Sequence, residues 1–199
     1  MKYKTIALLS GLALLQACTL APSRVATGDA AQIWSQRQSQ LSALREWQIK
    51  GRIGFVSETQ SGSGSLYWQQ QGDQYTCKVV APFGKGSINI SGDGDKVILH
   101  TADGEQYASS NVERLLWEHT GWIIPVQHLR YWMIGLPTDT STERYALDQD
   151  GRIESLSSGE WELQYHRYRA TKQIELPTKI TVQGPELKIK VAVSQWQLP

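Results

Sequence analysis

The stretch from Trp47 to Phe55 reads WQIKGRIGF, and apolar residues or glycine occupy every second position. Lys50 and Arg52 occupy two of the positions between them. Because side chains alternate between the two faces of a β-strand, this spacing predicts a strand with one apolar and one charged face. Such a strand needs neighbouring strands and a second layer to cover its apolar face.

The chain on both sides of the middle region repeats this two-residue period in short segments. The turn signals between them are Gly72-Asp73, Gly92-Asp93-Gly94, Ala102-Asp103-Gly104 and Asp148 to Gly151. We also interpret the small polar stretch from Ser61 to Gly64 as a loop. Further strand patterns begin at Tyr145 and continue to Val193. Together they predict about ten or eleven short antiparallel strands in a barrel or curved sheet.

A helix is predicted from Ala30 to Arg45, with Asp29 as its N-cap. Its apolar positions are Ile33, Trp34, Leu41 and Leu44. Arg37 interrupts the apolar stripe, but the aliphatic part of an arginine side chain can lie along such a surface.

Helical spacing returns between Ser110 and Pro137. A first helix has Ser110 or Asn111 as its cap, and Pro125 opens a second helix that ends near Gly135. The apolar positions of the two helices are Val112, Leu115, Leu116, Val126, Leu129, Trp132 and Met133.

The N-terminus predicts export and lipid attachment. A basic start is followed by an apolar stretch from Ile6 to Leu15 and by Leu15-Gln16-Ala17-Cys18. This is the pattern of a bacterial signal peptide, and its end resembles the lipobox of bacterial lipoproteins. We expect residues 1–17 to be removed, Cys18 to be acylated, residues 18–28 to be a tether, and residues 29–199 to fold as one domain. Thr19, where lipoproteins of the inner membrane commonly carry Asp, indicates the outer membrane.

Composition excludes several classes of protein. The 199 residues include 20 Lys or Arg and 19 Asp or Glu, which gives no reason to expect nucleic acid as a partner. Two cysteines exclude a disulfide scaffold, and no apolar run reaches the roughly 20 residues of a membrane-spanning helix. With Cys18 acylated, Cys77 would be the remaining cysteine, and we expect it to be a buried, unreactive thiol.

The sequence shows no complete catalytic or metal-binding motif. Its four histidines, His100, His119, His128 and His166, lack the spacing of metal ligands. The segment from Gly84 to Ser87 is only a fragment of a phosphate-binding loop. We therefore predict no catalytic residue, no metal and no cofactor.

The segment from Gly121 to Pro137 carries a family resemblance. Its pattern is Gly121, Pro125, Leu129, Trp132 and then Gly135-Leu136-Pro137. Upstream, the corresponding pieces are Trp47-x-x-x-Gly51-Arg52, Leu66-Tyr67-Trp68 and Ala81-Pro82-Phe83-Gly84. In this order and with the lipobox, the chain resembles the LolB family of outer-membrane lipoprotein receptors.

The resemblance implies a mainly β fold with helices, an open antiparallel barrel of about eleven strands with a helical lid and an apolar cavity. It implies a receptor that takes acylated lipoproteins from a LolA-type periplasmic carrier and inserts them into the outer membrane. The residues expected at the cavity and lid are Trp47, Ile49, Trp68, Leu116, Leu129, Trp132 and Met133. Pro82, Phe83 and Gly84 would form a membrane-contact loop, with Phe83 where the family usually has Leu.

Two other interpretations stay open at this point. One is an envelope lipoprotein with hydrolase activity whose catalytic residues are dispersed, and the other is a lipoprotein with a purely scaffolding role. An apolar cavity that is open to solvent would separate a receptor from a scaffold. Titratable groups that converge in that cavity would favour a hydrolase. For the receptor we expect a monomer.

Overall fold

A computed structural model describes residues 28–82, 86–139 and 141–199. In chain order its elements are α1 (Gly28–Ala43), β1 (Glu46–Val56), β2 (Ser61–Gln71), β3 (Gln74–Val80), β4 (Ser87–Gly92), β5 (Val97–His100), β6 (Gln106–Ser109), α2 (Val112–Thr120), α3 (Val126–Trp132), β7 (Arg144–Leu147), β8 (Ile153–Ser158), β9 (Trp161–Ala170), β10 (Glu175–Gln183) and β11 (Lys188–Gln197). No helix of the described residues has the length and apolar character needed to cross a membrane.

All eleven strands form one antiparallel sheet in the order β6-β5-β4-β3-β2-β1-β11-β10-β9-β8-β7. Sequence neighbours pair throughout, except where β1 pairs with β11 and joins the two halves of the chain. The sheet is not closed, because β6 and β7 stand at its two ends in the described part of the chain. The predicted open antiparallel barrel of about eleven strands is confirmed.

The alternation in β1 places its side chains as the sequence predicts. Trp47 and Ile49 are buried on the inner face, whereas Lys50 and Arg52 are exposed on the outer face. The inner faces of both halves of the sheet contribute to one large apolar cluster, so the sheet curves around its core.

The interpretation of Ser61 to Gly64 as a loop is wrong. These residues are the first part of β2 and pair with β1, with Gly62 opposite Phe55 and Gly64 opposite Ile53. A Cβ on Gly62 would lie 2.6 Å from the Phe55 ring. The glycine therefore leaves room for an aromatic side chain, and here it does not mark a turn.

Helix α1 begins at Gly28, so Asp29 lies inside the helix and is not its N-cap. Ile33 does not belong to the buried stripe, because its side chain is 43% exposed. The buried positions are Ala30, Trp34, Arg37 and Leu41. The guanidinium carbon of Arg37 lies 5.4 Å from the centroid of the Tyr168 ring, so this buried arginine continues the stripe.

The predicted boundaries of the two middle helices are close to the observed ones. Asn111 caps α2, where its Oδ1 accepts a hydrogen bond from the Arg114 N–H at 2.7 Å. Helix α3 starts directly after Pro125, and the Pro125 carbonyl accepts a hydrogen bond from the Leu129 N–H. Gly135 has a φ of 78° just beyond the end of α3, which suits its predicted place as a terminator.

Candidate functional site

The inner face of the sheet is tightly packed where β1 begins. Trp47 lies between two other tryptophans, with ring centroids 5.4 Å from Trp68 and 5.6 Å from Trp196. Ile49 is 2% exposed beside them. These side chains alternate into the core because β1, β2 and β11 are neighbouring strands. We call this end of the inner face, with its three tryptophans, the aromatic base.

Helix α3 is fixed to the interior by Trp132, which belongs to the same apolar cluster and has no solvent-exposed surface. The indole Nε1 of Trp132 donates to Glu143 Oε1 at 3.2 Å, and its carbonyl accepts from the Tyr165 hydroxyl at 2.9 Å. Met133 is 2% exposed in the same cluster. The described contacts give Trp132 a positioning role, and its contact with acyl chains stays a prediction.

Glu143 is a buried carboxylate that gave no recognisable signal in the sequence. Besides Trp132, it accepts hydrogen bonds from the main-chain N–H of Thr138 at 2.7 Å and from the Thr138 hydroxyl at 2.6 Å. Burial by itself would raise the pKa of Glu143, but hydrogen bonds from Thr138, Ser158 and Trp132 outweigh it and lower the pKa. An ionised Glu143 thus holds the chain that follows α3 against the helix.

The Gly135-Leu136-Pro137 segment fits closely against the sheet. A Cβ on Gly135 would lie 3.2 Å from the Tyr168 hydroxyl and 3.3 Å from Pro177 Cγ. Leu136 is 6% exposed, and Pro137 is also buried. The motif therefore has a structural role, which is to seat α3 over β9 and β10.

Leu116 lies in a different part of the interior from the other predicted cavity residues. With Val112 and Leu115 of α2, it packs in a second apolar cluster over β3 and β5. Ile124 packs against both clusters and connects them. Trp47, Ile49, Trp68, Leu129, Trp132 and Met133 are together in the first cluster.

The inner face becomes only partly covered towards the end of β1. Two residues of β1 and four apolar residues of β3, the α2–α3 connection and α3 are half-buried, and all six pack against the first cluster. They are Ile53, Phe55, Val79, Trp122, Ile124 and Leu129. The Phe55 and Trp122 ring centroids lie 4.9 Å apart, so these two side chains form an aromatic pair. We call these six residues the inner apolar strip.

A depression of about 320 Å³ lies outside the strip, between the α2–α3 connection and the turns of the sheet. Its apolar lining includes Trp117, Trp122, Ile123, Trp161 and Leu187. Trp117 is 55% exposed and Ile123 is 62% exposed, which is unusual for such large apolar side chains. Since Trp122 lines the depression and also contacts Phe55, the depression leads to the inner apolar strip.

Sequence reasoning named only Leu129 among the strip residues. The signal for Ile53 and Phe55 was present, because they share the apolar face of β1 with Trp47 and Ile49. No sequence pattern predicted the partial exposure of the strip, because this exposure depends on where α2 and α3 stop covering the sheet.

The phenols of Tyr165 and Tyr168 are titratable groups of the interior, and burial raises the pKa of each. Tyr165 donates to the Trp132 carbonyl, and Tyr168 donates to the Ile153 carbonyl at 2.7 Å. Both hydroxyls are therefore occupied by main-chain contacts. The six residues of the inner apolar strip carry no ionisable side chain.

Two predicted features lie wholly or partly outside the described residues. Cys18 precedes the described part of the chain, and so does the signal peptide. Pro82 is exposed, but Phe83 and Gly84 fall in the gap at residues 83–85. The described residues on either side of the gap are paired, because the main-chain N–H of Ala81 donates to the Gly86 carbonyl at 2.9 Å. Cys18 as the acylated residue and Phe83 as the membrane contact both stay predictions.

Residues 45–196 match the family model described as outer membrane lipoprotein LolB. The chain belongs to the LolB family. An outer-membrane lipoprotein LolB from Pseudomonas putida is 36% identical over 189 residues, covering 94% of this chain and 92% of the relative. A LolB from Pseudomonas aeruginosa is 36% identical over 191 residues, covering 94% of this chain and 93% of the relative.

The chain also shares its fold with distant solved structures. A LolA superfamily protein from Nitrosomonas europaea superposes with a TM-score of 0.54 at 12% identity, over 85% of this chain and 93% of that one. At this identity the likeness concerns the fold alone. As a LolB family member, the chain is an outer-membrane lipoprotein.

Proposed function

We propose that this chain is an outer-membrane receptor that accepts lipoproteins from a LolA-type periplasmic carrier, holds their acyl chains and inserts them into the outer membrane. The inner apolar strip carries the proposal, because it offers half-buried apolar surface next to an open depression. Acyl chains would enter past Trp117 and Ile123 and cover Phe55 and Trp122. Trp47, Ile49, Trp68, Trp132 and Met133 would form the base on which the chains rest.

Transfer of this kind needs no catalysis. Each methylene group that leaves water contributes about 0.8 kcal/mol, so a small difference in buried acyl surface decides the direction of transfer. The receptor must bury more acyl surface than the carrier does and less than the bilayer does. The half-buried strip suits this intermediate position, since a fully enclosed cavity would retain its cargo.

The anchor and the membrane-contact loop complete the proposal. Cys18 would hold the protein on the outer membrane through its acyl chains, since two or more chains anchor stably. Pro82, Phe83 and Gly84 would present an apolar side chain to the bilayer during release. A single receptor, one cargo protein and the carrier are sufficient, so the proposed working form is a monomer.

Phe55 and Val56 provide a matched pair for testing the strip. They are neighbours in sequence, but Phe55 faces the interior and Val56 is 54% exposed on the outer face. We expect Phe55→Ser to weaken binding of a fluorescent fatty acyl probe about tenfold or more, because burial of such a side chain contributes roughly 1.5–3 kcal/mol. Val56→Ser should bind like the unsubstituted protein.

The same variants should be tested with a carrier loaded with an acylated lipoprotein, with near-ultraviolet circular dichroism as the check of folding. Phe55→Ser should accept less cargo than Val56→Ser. Equal binding and equal acceptance by two folded variants would place the acyl site elsewhere. Hydrolysis of a substrate by the receptor without bound lipoprotein would instead favour the hydrolase alternative.

A further inference from the structure

The outer face of the three central strands is basic. β1, β11 and β10 are adjacent in the middle of the sheet. Their exposed cations are Lys50, Arg52, Lys179, Lys188 and Lys190. The register places them together: Ala192 pairs with both Arg52 and Lys179, and Lys190 pairs with Gly54 and Thr181. We call these five residues the basic ridge.

The three strands of the ridge carry few acids, and the ridge cations form no ion pair in the described part of the chain. The only acids on β1, β10 and β11 are Glu46 and Glu175, each the first residue of its strand. Glu175 already pairs with Arg152 at 3.3 Å. Within the described ranges, every ion pair uses Arg45, Arg114, Arg130 or Arg152, so none involves the ridge.

A shallow depression of about 670 Å³ opens on the same face. Four ridge cations line it, and no carboxylate among the described residues does. The small residues Gly54, Ser63 and Ala192 also line it and leave space between the long basic side chains. A depression with cationic walls and small residues beside them accommodates a phosphate group.

The net charge of the whole chain does not account for this local excess of positive charge. Removal of residues 1–17 takes Lys2 and Lys4 from the 20 bases and none of the 19 acids, so 18 bases would face 19 acids. Positive charge is therefore gathered on one surface of a nearly neutral protein. Such separation produces a local field that can attract anions although the net charge cannot.

We propose that the basic ridge docks the domain side-on to an anionic bilayer surface through lipid phosphates. A sheet that curves around its core has a convex outer face, and a convex face meets a plane along a narrow line. The ridge follows such a line, since the distance from Lys50 to Val56 along β1 is about 20 Å. The proposed lipid anchor at Cys18 would also keep the domain close to a bilayer, because residues 18–27 can span at most about 35 Å when extended.

This orientation has a consequence that rests on the proposed function. The inner apolar strip lies on the face of the sheet opposite the ridge, and the depression beside Trp117 and Ile123 lies at the ends of the strands. With the ridge on the bilayer, the face that carries the strip is turned to the periplasm, where a loaded carrier arrives. The ridge would therefore hold the receptor in the orientation that accepts cargo.

Vesicle binding of the mature Cys18→Ala chain tests the ridge without the anchor. Vesicles of phosphatidylcholine mixed with phosphatidylglycerol should bind the protein, vesicles of phosphatidylcholine alone should not, and added salt should weaken binding. The triple variant Arg52→Glu, Lys179→Glu and Lys190→Glu should bind about a hundredfold more weakly, because each cation near the surface contributes about tenfold or less.

The matched control reverses three exposed cations outside the central strands, namely Lys96→Glu, Lys172→Glu and Arg144→Glu. The net charge changes equally, so this control should retain most of the binding. Equal losses in both triple variants, or no loss in either, would overturn the proposal. If only carrier binding depends on the ridge and vesicle binding does not, the partner is an acidic protein and the lipid proposal is wrong.

Fluorescent acyl binding, measured in parallel, separates this proposal from the proposed function. The ridge variant should bind the acyl probe with unchanged affinity, since none of its three positions belongs to the inner apolar strip. If the unsubstituted protein does not bind the acyl probe, the receptor function is contradicted and the vesicle-docking proposal is unaffected. If the unsubstituted protein binds the probe but does not bind anionic vesicles, the docking proposal is contradicted and the receptor function is unaffected.

Discussion

Cys77 lies on the inner face of β3 and packs against the first apolar cluster. The Cys77 side chain is half-buried, not fully buried as expected, but desolvation raises the pKa of its thiol to about 12, which supports the expected low reactivity. At pH 8 the nucleophilic thiolate is therefore almost absent in the folded protein. We expect Cys77 in the Cys18→Ala chain to resist an aromatic disulfide reagent at pH 8 and to react fully in urea. Rapid reaction without denaturant would show that the thiol is accessible.

Glu143 makes stability depend on pH in a definite direction. Its folded pKa is lowered from an ordinary value of 4.5, so its contribution is fully present above that value. The contribution is lost as the pH falls through the lower, folded-state pKa. Glu143→Gln should cost about 1–3 kcal/mol at pH 7, and it should lose less stability than the unsubstituted protein on acidification.

Urea unfolding at neutral and acidic pH measures both effects of Glu143→Gln. Glu160→Gln is the control, because Glu160 is exposed in the turn between β8 and β9. The control should unfold like the unsubstituted protein at every pH. If Glu143→Gln shows an unchanged slope with pH, Glu143 is not an ionised structural carboxylate.

At the scale of elements, two glycines at helix ends allow the cost of a left-handed backbone to be distinguished from the cost of lost packing space. Gly121 follows α2 with a φ of 77°, and Gly135 follows α3 with a φ of 78°. No atom lies within 4 Å of a Cβ built on Gly121, whereas one on Gly135 would crowd Tyr168 and Pro177. Both substitutions by alanine should cost about 1 kcal/mol for the left-handed backbone.

Gly135→Ala should cost more than Gly121→Ala, because α3 must also move away from the sheet. The difference in the free energy of unfolding, measured in urea, reports how tightly the Gly135-Leu136-Pro137 segment seats α3. Equal costs would mean that the contacts with Tyr168 and Pro177 adjust freely. Acyl-probe binding should respond to Gly135→Ala as well, since the helix that Gly135 seats contributes Leu129 to the inner apolar strip.

At the scale of the whole molecule, loading and delivery are predicted to depend on different surfaces. Phe83→Glu should leave cargo acceptance nearly intact, because the inner apolar strip does not include this loop. Delivery to liposomes should fall, because a carboxylate resists entry into the acyl region of a bilayer. The assay loads the receptor from its carrier, adds liposomes and measures the lipoprotein that stays in solution.

Phe83→Leu is the control for delivery and should behave like the unsubstituted protein, since Leu is also large and apolar. Delivery by Phe83→Glu at the unsubstituted rate would exclude a membrane-contact role for the loop. Failure of Phe83→Glu at the loading step would instead assign Phe83 to the acyl site or to the carrier interface.

The sequence by itself predicted the features that depend on local periodicity. The alternation from Trp47 to Phe55 identified an inner and an outer face, and Asn111 and Pro125 marked helix starts within one residue. The family pattern predicted the open sheet and the lipoprotein receptor. Local patterns are informative here because strand alternation and helix capping need only neighbouring residues.

Tertiary structure decided the features that depend on distant residues. The stretch from Ser61 to Gly64 looks like a loop by composition, but pairing with β1 and the room needed by Phe55 make it a strand. The edge strand β6 has little apolar alternation and gave no strand signal. No sequence signal predicted that Glu143 is buried or that the residues of the basic ridge lie together. Each depends on groups brought together from separate strands, because a local pattern carries no information about which strands become neighbours.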